Sequence, residues 1–137
     1  MPPENLVVLT NNRRVAEKCE REEGAPSVVL VDGDPLDVLA RALVLLQEHH
    51  RLISAPLPPN IPIMRAPFRS LLLETSAAKY DVAGIEAIER ARKTMAKQRA
   101  IAATEAGGEK DDDFARIDET YLERAMRDYA LIAESSK

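Results

Sequence analysis

HRLISAPLPPNIPIMRAPFRSLLLE, residues 50–74, is the stretch that decides the fold of this chain. Two apolar runs, residues 51–55 and 70–74, flank a loop with prolines at positions 56, 58, 59, 62 and 67. Proline lacks an amide hydrogen and restricts the residue before it, so the loop forms neither a helix nor a central strand. Because a parallel connection normally contains a helix, we expect the second run to be a strand antiparallel to the first. An ordered loop of this length is often functional.

Before this stretch, a strand followed by a helix occurs twice. Residues 6–9 form a fully apolar run typical of a buried strand, and residues 13–23 form a charged helix that Gly24 ends. Residues 27–31 and 36–49 repeat the pattern. Such alternation favours a parallel sheet with right-handed crossovers. We therefore predict an α/β fold with a small open, mostly parallel four-stranded sheet and flanking helices.

Two further helices are predicted after the sheet. Asp81 is expected to cap the first, which extends to about residue 104, and the second covers residues 114–134. We expect the two to form a helical pair, either with each other or against another copy of the chain. The second helix carries an apolar stripe at near-heptad spacing. The stripe consists of Phe114, Ile117, Tyr121, Ala125, Tyr129 and Ile132.

Length and charge define the domains and the class of protein. The 137 residues suit one α/β domain over residues 1–105, with residues 106–137 as an acidic helical extension on the same domain or on a second copy. That extension holds 5 basic and 9 acidic side chains and accounts for the net charge of -4, which disfavours nucleic acid. No apolar run is long enough for a membrane span. Cys19 is the only cysteine, which together with the polar N-terminus indicates the cytoplasm.

Polar residues follow the first three predicted strands and precede the fourth. Ligands of open α/β sheets bind outside the carboxyl ends of the strands, and an antiparallel fourth strand begins at that edge. Free amides at a helix start favour an anion, and an arginine fork binds carboxylate or phosphate. We therefore predict a pocket for a small anionic molecule, roofed by the proline loop. The candidate ligand-binding residues are Thr10, Asn11, Asn12, Asp32, Ser54, Arg65, Arg69 and Ser70.

The same residues also have a purely structural interpretation. In that interpretation Asn12 only caps the first helix, and Arg69 only pairs with Asp32 or Asp34. The sequence leaves both interpretations open. An Arg69→Ala protein that binds every screened anion as tightly as the parent would exclude the pocket.

The other residues that often carry chemistry favour structural roles. His49 and His50 fall between the second helix and the third strand, at the opposite edge, where histidine stabilises a helix C-terminus. Cys19 lies in mid-helix, where we expect a small buried residue. No His/Cys/carboxylate group has metal-ligand spacing, and no cofactor motif is present, so we predict neither a metal nor a cofactor.

Four segments resemble the GrdX family. They are residues 7–12 (VVLTNN), Asp32-Gly33 followed by residues 36–39 (LDVL), residues 50–57 (HRLISAPL) and residues 67–70 (PFRS). They occur in the family's order and at roughly its spacing. The members of this family are small proteins of unknown biochemical role, encoded beside glycine, sarcosine and betaine reductase genes of amino-acid-fermenting anaerobes. The resemblance implies an accessory role near an amino-acid reductase system and supplies no catalytic residue.

Together these patterns predict a cytoplasmic accessory protein that is not an enzyme and that binds a small anionic molecule or a partner protein. Two other functions stay open. A pyrophosphatase-like enzyme acting on a phosphorylated ligand would use the same pocket, with Asp32 or Asp34 as acid, base or magnesium ligand. A purely structural assembly factor, or a homo-oligomer, would dock through the two C-terminal helices.

Overall fold

A computed structural model of the chain describes residues 5–56, 66–75, 79–98 and 109–135. The strands are β1 (Leu6–Thr10), β2 (Ser27–Leu30), β3 (Arg51–Leu52) and β4 (Ser70–Glu74). The helices in these ranges are α1 (Arg13–Arg21), α2 (Pro35–Gln47), α3 (Val82–Gln98) and α4 (Glu109–Ser135). The predicted proline loop, apart from its two ends, and the predicted end of α3 near residue 104 lie outside the described residues. In the part described, no helix is both long and apolar enough to cross a membrane.

The sheet has the strand order β2-β1-β4-β3. β1 and β2 are parallel, and β4 is antiparallel to both of its neighbours, so the antiparallel arrangement of β3 and β4 is confirmed. The prediction of a mostly parallel sheet needs correction, because only one of these neighbouring pairs is parallel. The reason is that β4 lies between β1 and β3, where it separates two strands that run in the same direction.

Helices α2 and α3 cover the face of the sheet with the larger apolar core. Val7 and Leu9 of β1 lie on this face together with Leu71 and Leu73 of β4, because side chains alternate along a strand. Buried residues of the two helices complete the cluster: Val38, Leu39, Ala42, Leu46, Ile88, Ala91 and Met95. Burying a large aliphatic side chain of this kind contributes about 1.5–3 kcal/mol. This face therefore dominates the stability of the fold.

The opposite face is covered by α1 and α4 and has a smaller apolar core. Its buried members are Leu6, Val8, Val15, Leu72 and Leu122, and Cys19, Met126 and Tyr129 pack partly against them. The molecule thus has three layers, with helices on both sides of the sheet. Over residues 82–98 and 109–135, the two C-terminal helices pack on different partners and not as a hairpin: α3 packs on α2, while α4 packs on α1 and β4.

The orientation of α4 differs from the predicted one. Its buried residues are Ala115, Asp118 and Leu122, so the inner face is rotated by about one residue from the predicted stripe. Ile132, the last member of that stripe, is 67% exposed. The stripe prediction is confirmed for Ala125 and Tyr129, which pack partly against the smaller core, but it was wrong for the first half of the helix and for Ile132. It failed there because it followed the most apolar residues and excluded an aspartate from the buried face.

The second helix has strong signals at both ends. Asp34 and Asp37 form a reciprocal capping box at its start. At its end His49 adopts φ 64°, and the His50 amide donates to the Leu45 carbonyl, which is a Schellman termination with histidine in the usual glycine position. The His49 ring stacks on Tyr80, with ring centroids 4.2 Å apart. The structural interpretation of the histidines is consistent with these contacts.

Strand β3 is shorter than the predicted residues 51–55. Regular pairing ends after Leu52 because the Ser54 side-chain oxygen accepts the Leu72 amide hydrogen at 2.9 Å, in place of a backbone carbonyl. The outer edge of β3 is also covered. Asp81, which caps α3 through the Gly84 amide, accepts the Leu52 amide hydrogen at 2.9 Å with its second oxygen. One carboxylate therefore starts a helix and blocks further strand pairing at Leu52.

Candidate functional site

The corner after β1 and the start of β4 share one rim of the sheet, and Asn11 joins them. The Arg69 amide donates to Asn11 Oδ1 at 2.8 Å, and the Asn11 amide donates to the Arg69 carbonyl at 3.3 Å. Asn11 Nδ2 donates to the carbonyls of Gly33 and Pro67 at 3.0 and 2.8 Å. The turn after β2 and the residues before β4 are therefore fixed to the same side chain. We call this edge the rim, meaning Thr10, Asn11, Asn12, Arg69 and Ser70.

A chain of hydrogen bonds crosses the rim. The Asn12 amide donates to Thr10 Oγ1 at 2.9 Å, and Thr10 Oγ1 lies 2.7 Å from Ser70 Oγ. Ser70 Oγ in turn donates to Asp118 Oδ2 at 2.6 Å. Because Ser70 uses its hydrogen on the carboxylate, Thr10 must donate to Ser70, which orients the whole chain toward Asp118.

Asp118 of α4 is the acceptor to which side chains of the rim donate. Its Oδ2 atom also accepts a hydrogen from Asn12 Nδ2 at 3.1 Å, and the Arg69 guanidinium adds a favourable charge interaction. Asp118 and Arg69 are only 8% and 6% exposed, so bulk water screens this interaction little. The rim therefore holds a carboxylate, and in this structure the carboxylate belongs to the chain itself.

Burial and charge act against each other at this cluster. Burial raises the pKa of the Asp118 carboxyl, while the hydrogen bonds from Ser70 and Asn12 and the charge of Arg69 act to lower it. Burial likewise lowers the pKa of the Arg69 guanidinium, and Asp118 opposes that change. The carboxylate is thus compensated by donors and by a cation, yet it still bears a cost of desolvation.

Asn12 connects two helices. Its Oδ1 atom accepts the Arg14 amide hydrogen at 3.1 Å and so caps α1. Its Nδ2 atom donates to the Ala115 carbonyl at 3.0 Å as well as to Asp118, so the same side chain fixes α4 over the start of α1. The capping role considered from the sequence is present, and the contact with α4 is additional to it.

The remaining predicted site residues are placed differently. Asp32 is exposed, and Asp34 belongs to the capping box of α2, so the carboxylate that interacts with Arg69 is Asp118 instead. Ser54 bonds to Leu72 and lines a separate groove of about 350 Å³ between β3 and α4. Arg65 lies outside the described residues. The rim therefore includes five of the eight candidates, namely Thr10, Asn11, Asn12, Arg69 and Ser70.

Outside the rim, polar contacts fasten α4 to the body of the protein. Glu119 forms an ion pair with Arg14 at 3.2 Å, and Glu123 forms one with Lys18. The Tyr129 hydroxyl donates to Glu74 Oε2 at 2.6 Å and accepts from Asn5 at 2.9 Å. Asp118 contacts the start of β4 and Tyr129 contacts its end, so α4 runs beside β4 in the same direction.

Cys19 lies half-buried between α1 and α4. With Val15, Leu122 and Met126 it lines a cavity of about 100 Å³. Burial raises the pKa of its thiol, which does not favour a reactive thiolate. Among the residues that the structure describes, no group of three or more His, Cys, Asp or Glu side chains is arranged to hold a metal ion.

Comparison with protein families decides the assignment of the chain. The model of the GrdX-like protein family matches residues 7–127. This chain belongs to the GrdX-like family. The match runs from β1 into α4, so the five rim residues and Asp118 all lie inside the family region of this GrdX-like chain. No curated protein and no solved structure matches it.

The chemistry available at the rim of this GrdX-like protein is recognition of an oxyanion. Two neutral donors bond to the Asp118 carboxylate beside the N-terminus of α1, where the helix dipole also favours negative charge, and the Arg69 guanidinium adds a favourable charge interaction. Asp118 was missed in the sequence prediction. A signal for it exists, since it lies three residues after Ala115 and four before Leu122 on one helical face.

Proposed function

We propose that this GrdX-like protein is a non-enzymatic accessory protein that binds the carboxylate, or a similar oxyanion, of a small molecule at the rim. One observation carries the proposal: Ser70 Oγ and Asn12 Nδ2 donate to a single carboxylate oxygen beside the Arg69 guanidinium. One donor comes from the start of a helix and one from the start of a strand, and a buried cation lies beside them, which is an arrangement suited to anion recognition.

The character of the donors supports a small ligand. Hydroxyl and amide groups fix the direction of approach, and the arginine supplies charge. The backbone that carries these groups is fixed, because Asn11 ties the β2 turn to the residues before β4. A carboxylate or a phosphate group of a metabolite fits this description, and an accessory role in the cytoplasm beside amino-acid reductases is the setting that the GrdX resemblance favours.

The test measures the binding of formate, acetate and inorganic phosphate to the intact protein by NMR titration at constant ionic strength. We expect at least one of these anions to perturb the amide signals of Asn12 and Ser70 in a saturable way. In an Asp118→Ala protein the internal carboxylate is gone, so formate or acetate should bind more tightly and raise the unfolding temperature.

Two controls make the test specific. Asp128→Ala removes an exposed carboxylate from the same helix and should bind the anions as the parent does. Ser70→Ala and Arg69→Ala remove a donor and the charge, and both should weaken binding. A parent protein that binds none of the three anions, or donor variants that bind them as tightly as the parent, would overturn the proposal.

A further inference from the structure

We infer that α4 is an internal competitor for the rim: its Asp118 carboxylate takes the place of the ligand, so the ligand binds when the first half of α4 lifts away. This inference rests on the proposed function and adds its regulation. The geometry behind it is the placement of Asp118 Oδ2, within hydrogen-bond distance of both Ser70 and Asn12, on a helix about 50 residues further along the chain than Ser70.

The contacts of α4 permit such a movement. Among the described side chains of its first half, the buried ones are Ala115, Asp118 and Leu122, so Leu122 is the one large apolar side chain of this set that leaves the core when this half lifts. The neighbouring contacts with α1 are ion pairs of partly exposed side chains, Arg14 with Glu119 and Lys18 with Glu123. Such pairs hold weakly and reform easily.

The second half of α4 has its own attachment. Tyr129 bonds to Asn5 and Glu74 at the opposite edge of the sheet, eleven residues or about 16 Å along the helix from Asp118. Ala125 and Met126 also pack against the sheet near this attachment. We therefore place the pivot at Tyr129, so that α4 stays attached to the molecule while its first half opens the rim.

The chain contains a natural reporter of this movement. Cys19, the only cysteine in the sequence, is half-buried under Leu122 and Met126 in the cavity between α1 and α4. Its reaction with a thiol reagent such as DTNB therefore reports how often the first half of α4 is raised. No added label is needed, and every reacted thiol is assigned to this site.

The experiment compares Cys19 labelling rates at fixed pH in acetate, formate or phosphate and in chloride of equal ionic strength. In the parent protein the anion that binds should accelerate labelling, because it competes with Asp118. In Asp118→Ala labelling should start at least about fivefold faster, because the buried donors lose their partner. In Asp118→Ala the same anion should then slow the labelling of Cys19, because the anion takes the place of the missing carboxylate. This change of sign between the two proteins is the expected result.

Asp118→Asn is the second variant, because it keeps the shape of the side chain if Asp118→Ala fails to fold. Its labelling should be faster than that of the parent. Asp128→Ala, on the same helix and away from the rim, should label like the parent with and without anion.

The outcomes separate the two proposals. Anion binding to the parent with an unchanged labelling rate means that the ligand sits beside Asp118; it overturns the inference and leaves the proposed function intact. Absence of anion binding to both the parent and Asp118→Ala overturns both. Binding to Asp118→Ala alone makes Asp118 a permanent structural carboxylate, and this also overturns both.

Discussion

The two faces of the sheet are built by different chemistry. Among the residues that the structure describes, the face under α2 and α3 is a continuous apolar cluster of eleven buried residues. The face under α1 and α4 has five, and it adds a buried carboxylate, a buried arginine and a hydrogen-bond chain at the rim. The apolar face requires only side chains of suitable volume, whereas the polar face requires each donor to meet its acceptor. The second face is therefore the one on which the proposed exchange of Asp118 for a ligand would take place.

Truncation of one leucine on each face should give the largest difference in unfolding free energy between the two faces. Leu46 is fully buried in the larger core, and Leu122 is 4% exposed under α4. We expect Leu46→Ala to cost about 2–5 kcal/mol of unfolding free energy, because a cavity remains in a rigid layer. Leu122→Ala should cost less, because α4 can settle into the space. Urea unfolding of both variants measures this, and equal costs would mean that α4 is as firmly packed as α2.

The pH dependence of stability should distinguish the rim from the rest of the protein. Burial raises the pKa of Asp118 in the folded state, so the folded protein binds this proton more tightly than the unfolded chain does. The stability that Asp118 contributes is then complete at low pH and is lost as the pH rises from about 4 through the raised pKa. Relative to Asp118→Asn, the parent should therefore lose stability over this range.

The measurement is urea unfolding of the parent and Asp118→Asn at a series of pH values, from which the difference in unfolding free energy is plotted. Other carboxylates contribute to both proteins and cancel. Asp128→Asn, which changes an exposed carboxylate on the same helix, should give a flat difference. If instead the parent gains stability relative to Asp118→Asn as the pH rises, the rim lowers the pKa of Asp118. The rim would then be a fixed ion pair.

The sequence alone predicts much of the sheet on which both faces are built. Strand β4 was predicted with its observed bounds, and its antiparallel direction followed from the proline loop that lacks a helix. The meeting of Asn11 with Arg69 followed from strand direction. These features depend on local pattern and on chain connectivity, both of which can be derived from the sequence.

The polar half could be predicted only in part. Asn12 and Ser70 were candidates, but their shared partner Asp118 lies far along the chain, and its charge argued for a solvated position. The orientation of α4 depends on which of two similar helical faces finds matching groups on the sheet. That choice is made by the contacts of Asp118 with Asn12 and Ser70, whose positions helical periodicity does not encode. The strand order stayed open for a related reason, since no local pattern indicates that β4 pairs with β1 as well as with β3.

The smallest effect should come from the ion pairs along α4. Lys18 and Glu123 each keep about a third of their side-chain surface in water, so Glu123→Gln should change unfolding free energy by less than about 1 kcal/mol. The same change should still speed Cys19 labelling measurably, because the pair joins α4 to α1 at the cavity that Cys19 lines. Added sodium chloride should reproduce this in the parent and have less effect in Glu123→Gln. Equal salt sensitivity in the two proteins would mean that the pair does not hold α4, and Asp118 would remain as the contact that closes the rim.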